Sequence, residues 1–126
     1  MQYKEISVRS ISENYLFYKN LAGTKPDSLK WDVAIFKTKG YEIRLVESED
    51  AISSVFDLEL STEDLIKTFR RMSRFVKPVS FGDSCKPLKD HFALKDPEGN
   101  QLLIRTSEFK GSLTKVEDCY LETFEI

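Results

Sequence analysis

Little in this chain can build a metal cluster, a disulfide framework or a membrane span. It has one histidine, His91, and two cysteines, Cys85 and Cys119. Neither cysteine has a second Cys or His at metal-ligand spacing, which excludes a zinc-finger arrangement and leaves two free thiols of a reducing compartment as the expected state. No apolar run approaches the roughly 20 residues that a transmembrane helix needs. Lys4, Glu5, Arg9 and Glu13 interrupt the N-terminal segment before an apolar signal region can form. A cytoplasmic protein with no membrane partner is expected. The formal net charge of −2 supplies no field for a polyanion. The basic cluster Arg70, Arg71 and Arg74 falls at the end of a helix, where it complements the helix dipole more readily than it binds nucleic acid.

What is present is an ordinary globular composition, 126 residues with 40% hydrophobic and 32% charged side chains, enough for one domain with a real core. The order of patterns runs twice. In residues 3–9, Ile6 and Val8 share one face of a strand. Ser10 and Glu13 then form a Ser-x-x-Glu capping box that opens a helix through Leu16, Phe17 and Leu21 to Gly23. After the polar turn at Lys25, Pro26 and Asp27, residues 30–37 and 41–47 read as strands joined around Lys39 and Gly40. The second pass begins with Phe56, Leu58 and Leu60 alternating along a strand. Ser61 or Thr62 caps a helix with Glu63 and Asp64 in its first turn and Leu65, Ile66, Phe69 and Met72 at helical spacing. Strands follow near residues 78–82, 90–95 and 101–107. The tail from 109 to 126 lies outside the repeat, and Val116, Tyr120, Leu121, Phe124 and Ile126 give it enough apolar character to pack.

The last two strands are joined by Asp96-Pro97-Glu98-Gly99-Asn100. Pro97 presets φ for a turn, Gly99 tolerates a positive φ, and the Asp96 and Asn100 side chains can bond nearby backbone. This hairpin, together with Phe17-Tyr18-Lys19-Asn20-Leu21-Ala22-Gly23 at the end of the first helix, resembles the vicinal oxygen chelate superfamily of glyoxalases, bleomycin-resistance proteins and extradiol dioxygenases. The resemblance covers about residues 3–107. It implies an α+β fold of two βαβββ units, about 1–50 and 53–108, whose curved mixed sheets enclose a cavity with the helices on the convex side. It also implies a homodimer, to which apolar residues around Trp31 and the tail can supply an interface.

If the apolar faces pack under the helices, the opposite faces line the cavity with Tyr3, Glu5, Ser7, Arg9, Glu42, Arg44, Val55, Asp57, Glu59, His91, Gln101, Leu103 and Arg105. The resemblance places the metal-ligand positions of the family at Tyr3, near Arg44, near Ser54 or Val55, and at Leu103, none of which suits a divalent cation. No metal or other cofactor is therefore expected. His91 is the candidate general base, weighed against an ordinary strand histidine with one exposed edge. Glu5, Asp57 and Glu59 can form a like-charge acid or base cluster, with Glu5 the second catalytic candidate, or can be paired with Arg9, Arg44 or Arg105. The arginines can grip a carboxylate or phosphate. Trp31 and Phe36, on a strand apolar on both faces, can wall a planar ligand, with Phe36 assigned to the core and Trp31 left open.

The expectation is a glyoxalase/bleomycin-resistance-like protein that binds a small molecule without metal through Tyr3, Glu5, Trp31, Arg44, Asp57, His91, Leu103 and Arg105. One alternative is a metal-dependent lyase, isomerase or dioxygenase with an atypical ligand set such as Glu5, Asp57 and His91. The other is a regulatory or protein-interaction domain with a vestigial pocket. Fold alone does not choose among them.

Overall fold

A computed structural model describes residues 2–75 and 90–109. In the first unit β1 (Gln2–Val8) leads into α1 (Ile11–Ala22), followed by β2 (Ser28–Leu29), β3 (Val33–Lys37) and β4 (Tyr41–Glu47); in the second, β5 (Val55–Glu59) leads into α2 (Thr62–Met72), β6 (His91–Lys95) and β7 (Gln101–Arg105). The first sheet has the order β1-β4-β3-β2 and the second β5-β7-β6. In both, the first strand of the unit runs parallel to the last and the remaining pairs are antiparallel. The fold is therefore α+β with two mixed sheets, as the repeated pattern implies. The strand expected near residues 78–82, Cys85 and Cys119, and the tail beyond Phe109 lie outside the described residues.

Alternation sorts the strands as the sequence predicts. Ile6 and Val8 of β1, Ala34 and Phe36 of β3, Ile43 and Leu45 of β4, Leu58 of β5, Phe92 and Leu94 of β6, and Leu102 and Ile104 of β7 are buried in one cluster with Phe17, Tyr18, Leu21, Leu65 and Met72 of the helices. Each Val, Leu, Ile, Phe or Met among them contributes roughly 1.5–3 kcal/mol by leaving water. The sheets meet where the Gln2 side-chain amide pairs with the backbone of Glu59. Its Nε2 donates to the carbonyl and its Oε1 accepts from the N–H, both at 2.7 Å. Lys4 Nζ also lies 3.8 Å from Asp57 across this seam.

One expected strand is corrected. Residues 30–37 are not continuous, because the backbone breaks at Lys30, Trp31 and Asp32 and the regular strand begins only at Val33. Lys30 N–H donates to Val33 O at 2.7 Å, closing a turn that carries Trp31 off the sheet. Phe36 is core, as assigned from sequence, and makes a tilted ring contact with Tyr15 at 6.2 Å.

The helix ends reveal how the two units are tied. Ser10 caps α1, its Oγ accepting from Glu13 N at 3.3 Å, but the other half of the expected capping box comes from elsewhere: Ser10 N–H donates to Glu98 Oε2 at 3.0 Å. Glu98 also accepts from Arg9 N at 2.7 and 2.9 Å and from Asn14 Nδ2 at 2.7 Å. A carboxylate from the second unit thus occupies the positive end of the first unit's helix. Beside it, Asp96 accepts from Tyr18 Oη (2.7 Å), from the N–H groups of Glu98 (2.9 Å) and Asn100 (2.8 Å), and from Asn100 Nδ2 (2.8 Å). Asn100 Oδ1 in turn accepts from Ser54 N at 2.8 Å. The Asp96–Asn100 turn is a polar clasp between the units.

At the other end of α1, Gly23 adopts φ +72° and its N–H caps Lys19 O at 2.8 Å. Arg71 of α2 crosses to the same end, with Nε donating to Asn20 O and Nη2 to Leu21 O at 2.7 Å. Ser61, not Thr62, caps α2. This member of the basic cluster therefore complements the dipole of α1, the neighbouring helix, rather than that of its own.

Candidate functional site on the helix-free sheet faces

Residues two apart on a strand share a face, so burying Ile6, Val8, Ile43 and Leu45 under α1 turns Tyr3, Glu5, Glu42 and Arg44 to the opposite side. The parallel register of β1 and β4 sets Tyr3 against Glu42 and Glu5 against Arg44. The guanidinium of Arg44 sits over the Tyr3 ring, its Cζ 5.8 Å from the centroid, a cation–π arrangement. Arg44 Nη2 lies 3.7 Å from Glu42 Oε2, whereas Arg44 Nε is buried and makes no hydrogen bond. Tyr3 Oη reaches Glu5 Oε1 only at 3.5 Å, and Tyr3 is half exposed. A delocalised cation over an aromatic ring, with its side chain 39% exposed, is a recognition element for an oxygen acceptor.

The second sheet contributes a neutralised charge cluster. Arg105 Nε donates to Asp57 Oδ2 at 3.0 Å and Arg105 Nη1 to Glu59 Oε1 at 3.0 Å, with Lys4 adding to Asp57. Asp57 and Glu59 are thus paired, which leaves no like-charge acid or base cluster with Glu5. Leu103, opposite Asp57 in the register, is only 5% exposed and Ala93 beside it is buried. The middle of this face is apolar at Leu103 and Ala93, within a surface expected to be mainly polar and charged.

His91 lies on the helix-free face, opposite Arg105 in the register, but its ring is covered. It is 3% exposed, its Nδ1 lies 2.7 Å from Asp90 Oδ1, and Phe109 stacks on its ring at 3.7 Å between centroids. The partner residue is its sequence neighbour and the cover comes from the segment following the repeat, so alternation gives the face correctly but not the burial. Trp31 is corrected. It is 83% exposed and lies on the helix side of the first sheet, in a concavity with Ile11, Ser12, Tyr15, Leu29, Lys30 and Glu47. Tyr3, Glu5 and Arg44 come together, Asp57 and Arg105 come together with the covered His91 opposite Arg105 in the register, and Trp31 joins neither group.

Among the described residues no three His, Cys, Asp or Glu side chains converge to hold a metal ion, so the set of Glu5, Asp57 and His91 is not assembled. The positions to which the resemblance assigns metal ligands carry a phenol at Tyr3, a guanidinium near Arg44, a hydroxyl or alkyl chain near Ser54 or Val55, and an alkyl chain at Leu103. These do not fit a divalent cation, which Arg44 would repel. Two phenols elsewhere are perturbed. Burial, reinforced by the adjacent Asp96 carboxylate, raises the Tyr18 pKa well above its ordinary value, and burial pushes Tyr41 up to about 12. Both are core residues, not site acids.

Glu98, Asn14 and Arg71 went unread as long-range contacts. A signal for one of them was present: Asn14 and Tyr18 fall on the buried stripe of α1 with Ile11 and Leu21, and polar groups there demand partners.

No protein-family model matches the chain, and no curated protein matches it in sequence. Solved structures do match in fold. A lactoylglutathione lyase from Agrobacterium tumefaciens is similar over 89% of this chain and 96% of its own, at 11% identity and a TM-score of 0.66. A bleomycin resistance determinant encoded on the transposon Tn5 is similar over 86% of this chain and 98% of its own, at 18% identity and 0.65. A bleomycin-binding protein solved with bleomycin shares 17% identity over the same fractions, at 0.62. At these identities the likeness concerns the fold. The chain therefore has the fold of glyoxalase and bleomycin-resistance proteins.

Proposed function

We propose that this protein is a metal-independent small-molecule-binding protein of the bleomycin-resistance type, which takes its ligand on the helix-free faces around Tyr3, Glu5 and Arg44. The observation that carries this reading is Arg44, a partly exposed guanidinium held over the Tyr3 ring. It stands at a position where the resembling metalloenzymes hold a ligand, so a fixed organic cation replaces the charge of a metal. Asp57, Arg105 and Leu103 form the opposite wall, and no nucleophile with an adjacent base accompanies them among the described residues. The bleomycin-binding neighbour supports a role in sequestration. We extend the reading to a homodimer, supported by the exposure of the large side chains of Tyr3 and Val55.

The test is thermal unfolding of metal-stripped protein against a panel of small aromatic compounds bearing carboxylate, phosphate or carbonyl acceptors, with metal-free bleomycin included, because a ligand of the native state raises the transition. Stabilisation of the parent that is lost on Arg44→Ala is expected. Failure of every compound, or stabilisation indifferent to Arg44→Ala, overturns the proposal. Light scattering on the same samples reads the assembly state, and a strict monomer removes the dimer from the proposal.

A further inference from the structure

Trp31 is the single tryptophan of the chain and its indole is 83% exposed, yet it is not loosely held. The backbone is bonded on both sides of it, by Lys30 N to Val33 O at 2.7 Å and by Glu47 N to Asp32 O at 2.9 Å. Facing it across the concavity is Tyr15 of α1, whose ring is fixed against Phe36. Ile11 and Leu29 supply the apolar floor, and the space is about 730 Å³, within the range of small-molecule sites at roughly 300–1,000 Å³. One aromatic ring packed on the core and one carried on a hydrogen-bonded turn border a ligand-sized apolar hollow suited to a flat molecule.

The charges at its rim decide the polarity of that molecule. Glu47 is committed, since its Oε1 accepts from Ile11 N–H at 2.9 Å and so neutralises the positive end of α1. Lys30 forms no ion pair with any described residue. We infer that this hollow is a second small-molecule site, on the opposite face of the first sheet from Tyr3 and Arg44, for a planar aromatic ligand bearing an anionic group. The ring lies between Trp31 and Tyr15, and the acid meets the Lys30 ammonium.

The single tryptophan makes the site directly observable. Isotope-labelled full-length protein is titrated with 2-naphthoate, and the one indole N–H resonance is followed by NMR alongside the molecular mass. The expected result is a saturable shift at constant mass, with affinity about tenfold weaker in Lys30→Glu. The charge-reversed probe 2-naphthylmethylammonium is expected to prefer that variant over the parent. Calorimetry on Trp31→Ala, a change at an exposed position, is expected to find no naphthoate binding. A shift that does not saturate, or equal affinity in Lys30→Glu, overturns the site. A shift that follows protein concentration with a doubled mass gives the surface to a second copy instead. Loss of naphthoate binding in Arg44→Ala places the probe on the other face and also overturns it, so this proposal and the preceding one fail separately.

Discussion

Replacing Asp96 by alanine is expected to destabilise the protein by about 3–5 kcal/mol and to lower its melting temperature by more than about 10 °C. The carboxylate is 5% exposed and accepts from Tyr18 Oη, two backbone N–H groups and Asn100 Nδ2. Alanine leaves these donors facing a space without acceptors, and the Glu98 carboxylate on α1 loses the turn that positions it. Tyr18→Phe removes one of the four bonds and is expected to cost only about 1–2 kcal/mol. The pair also sets an alkaline limit. The Tyr18 phenol is held neutral in the folded state, its pKa raised above the ordinary value of 10.0 by burial and by Asp96. Its contribution is complete below pH 10.0 and declines as pH rises beyond that, because only the unfolded phenol ionises readily. Tyr41 acts with the same sign up to about pH 12, so Tyr18→Phe reduces the alkaline slope without abolishing it. Denaturant unfolding of the three proteins at pH 7 and at alkaline pH checks both statements. An Asp96→Ala protein as stable as the parent would mean the clasp carries no load.

The second large effect is expected at the far end of α1. Arg71→Ala removes both side-chain donors to the Asn20 and Leu21 carbonyls and a cation from a helix C-terminus, a loss of about 2 kcal/mol. Gly23→Ala acts on the same spot by two routes. Its φ of +72° costs any Cβ-bearing residue about 1 kcal/mol, and the added Cβ would stand 2.7 Å from Arg71 Cζ. The guanidinium is the mobile end of its side chain, so it yields by leaving its carbonyls. Gly23→Ala alone is therefore expected to cost about 2–3 kcal/mol, and only about 1 kcal/mol in an Arg71→Ala background. Equal costs in the two backgrounds, measured by equilibrium unfolding, would separate the glycine from the arginine.

Both sites show what kind of information the sequence carries. Period-two alternation at Ile6 and Val8 or Ile43 and Leu45 follows from the pleat itself, and the Ser10 and Ser61 caps are local chemistry, so strands, helices and their buried faces were legible. Asp96-Pro97-Glu98-Gly99-Asn100 was legible as a turn but not as a clasp, because its partners Ser10 and Asn14 are more than eighty residues away. Locally apolar content around Trp31 suggested a strand, whereas a bonded turn at Lys30 lifts that residue onto the helix side. The bland alternatives proved right for Asp57 and Glu59, which pair with Arg105. Alternation gave the face of His91, but its burial depends on Phe109, from beyond the repeat. Tyr3, Glu5 and Arg44 share a face because the β1 and β4 patterns fix which side is buried. The stacking of Arg44 on Tyr3 depends on the parallel register, which no single strand encodes.

The central claim is that Arg44 and Tyr3 stand in place of a metal centre. Its most direct test is thermal unfolding of metal-stripped protein with Ni, Co, Zn, Mn or Fe(II) added singly, since a specific cation site appears as added stability. An unfolding transition that none of these ions moves is the predicted result. A rise of several degrees with one ion, abolished by His91→Ala or Glu5→Ala, would contradict the account and put a metal-dependent lyase or dioxygenase in its place.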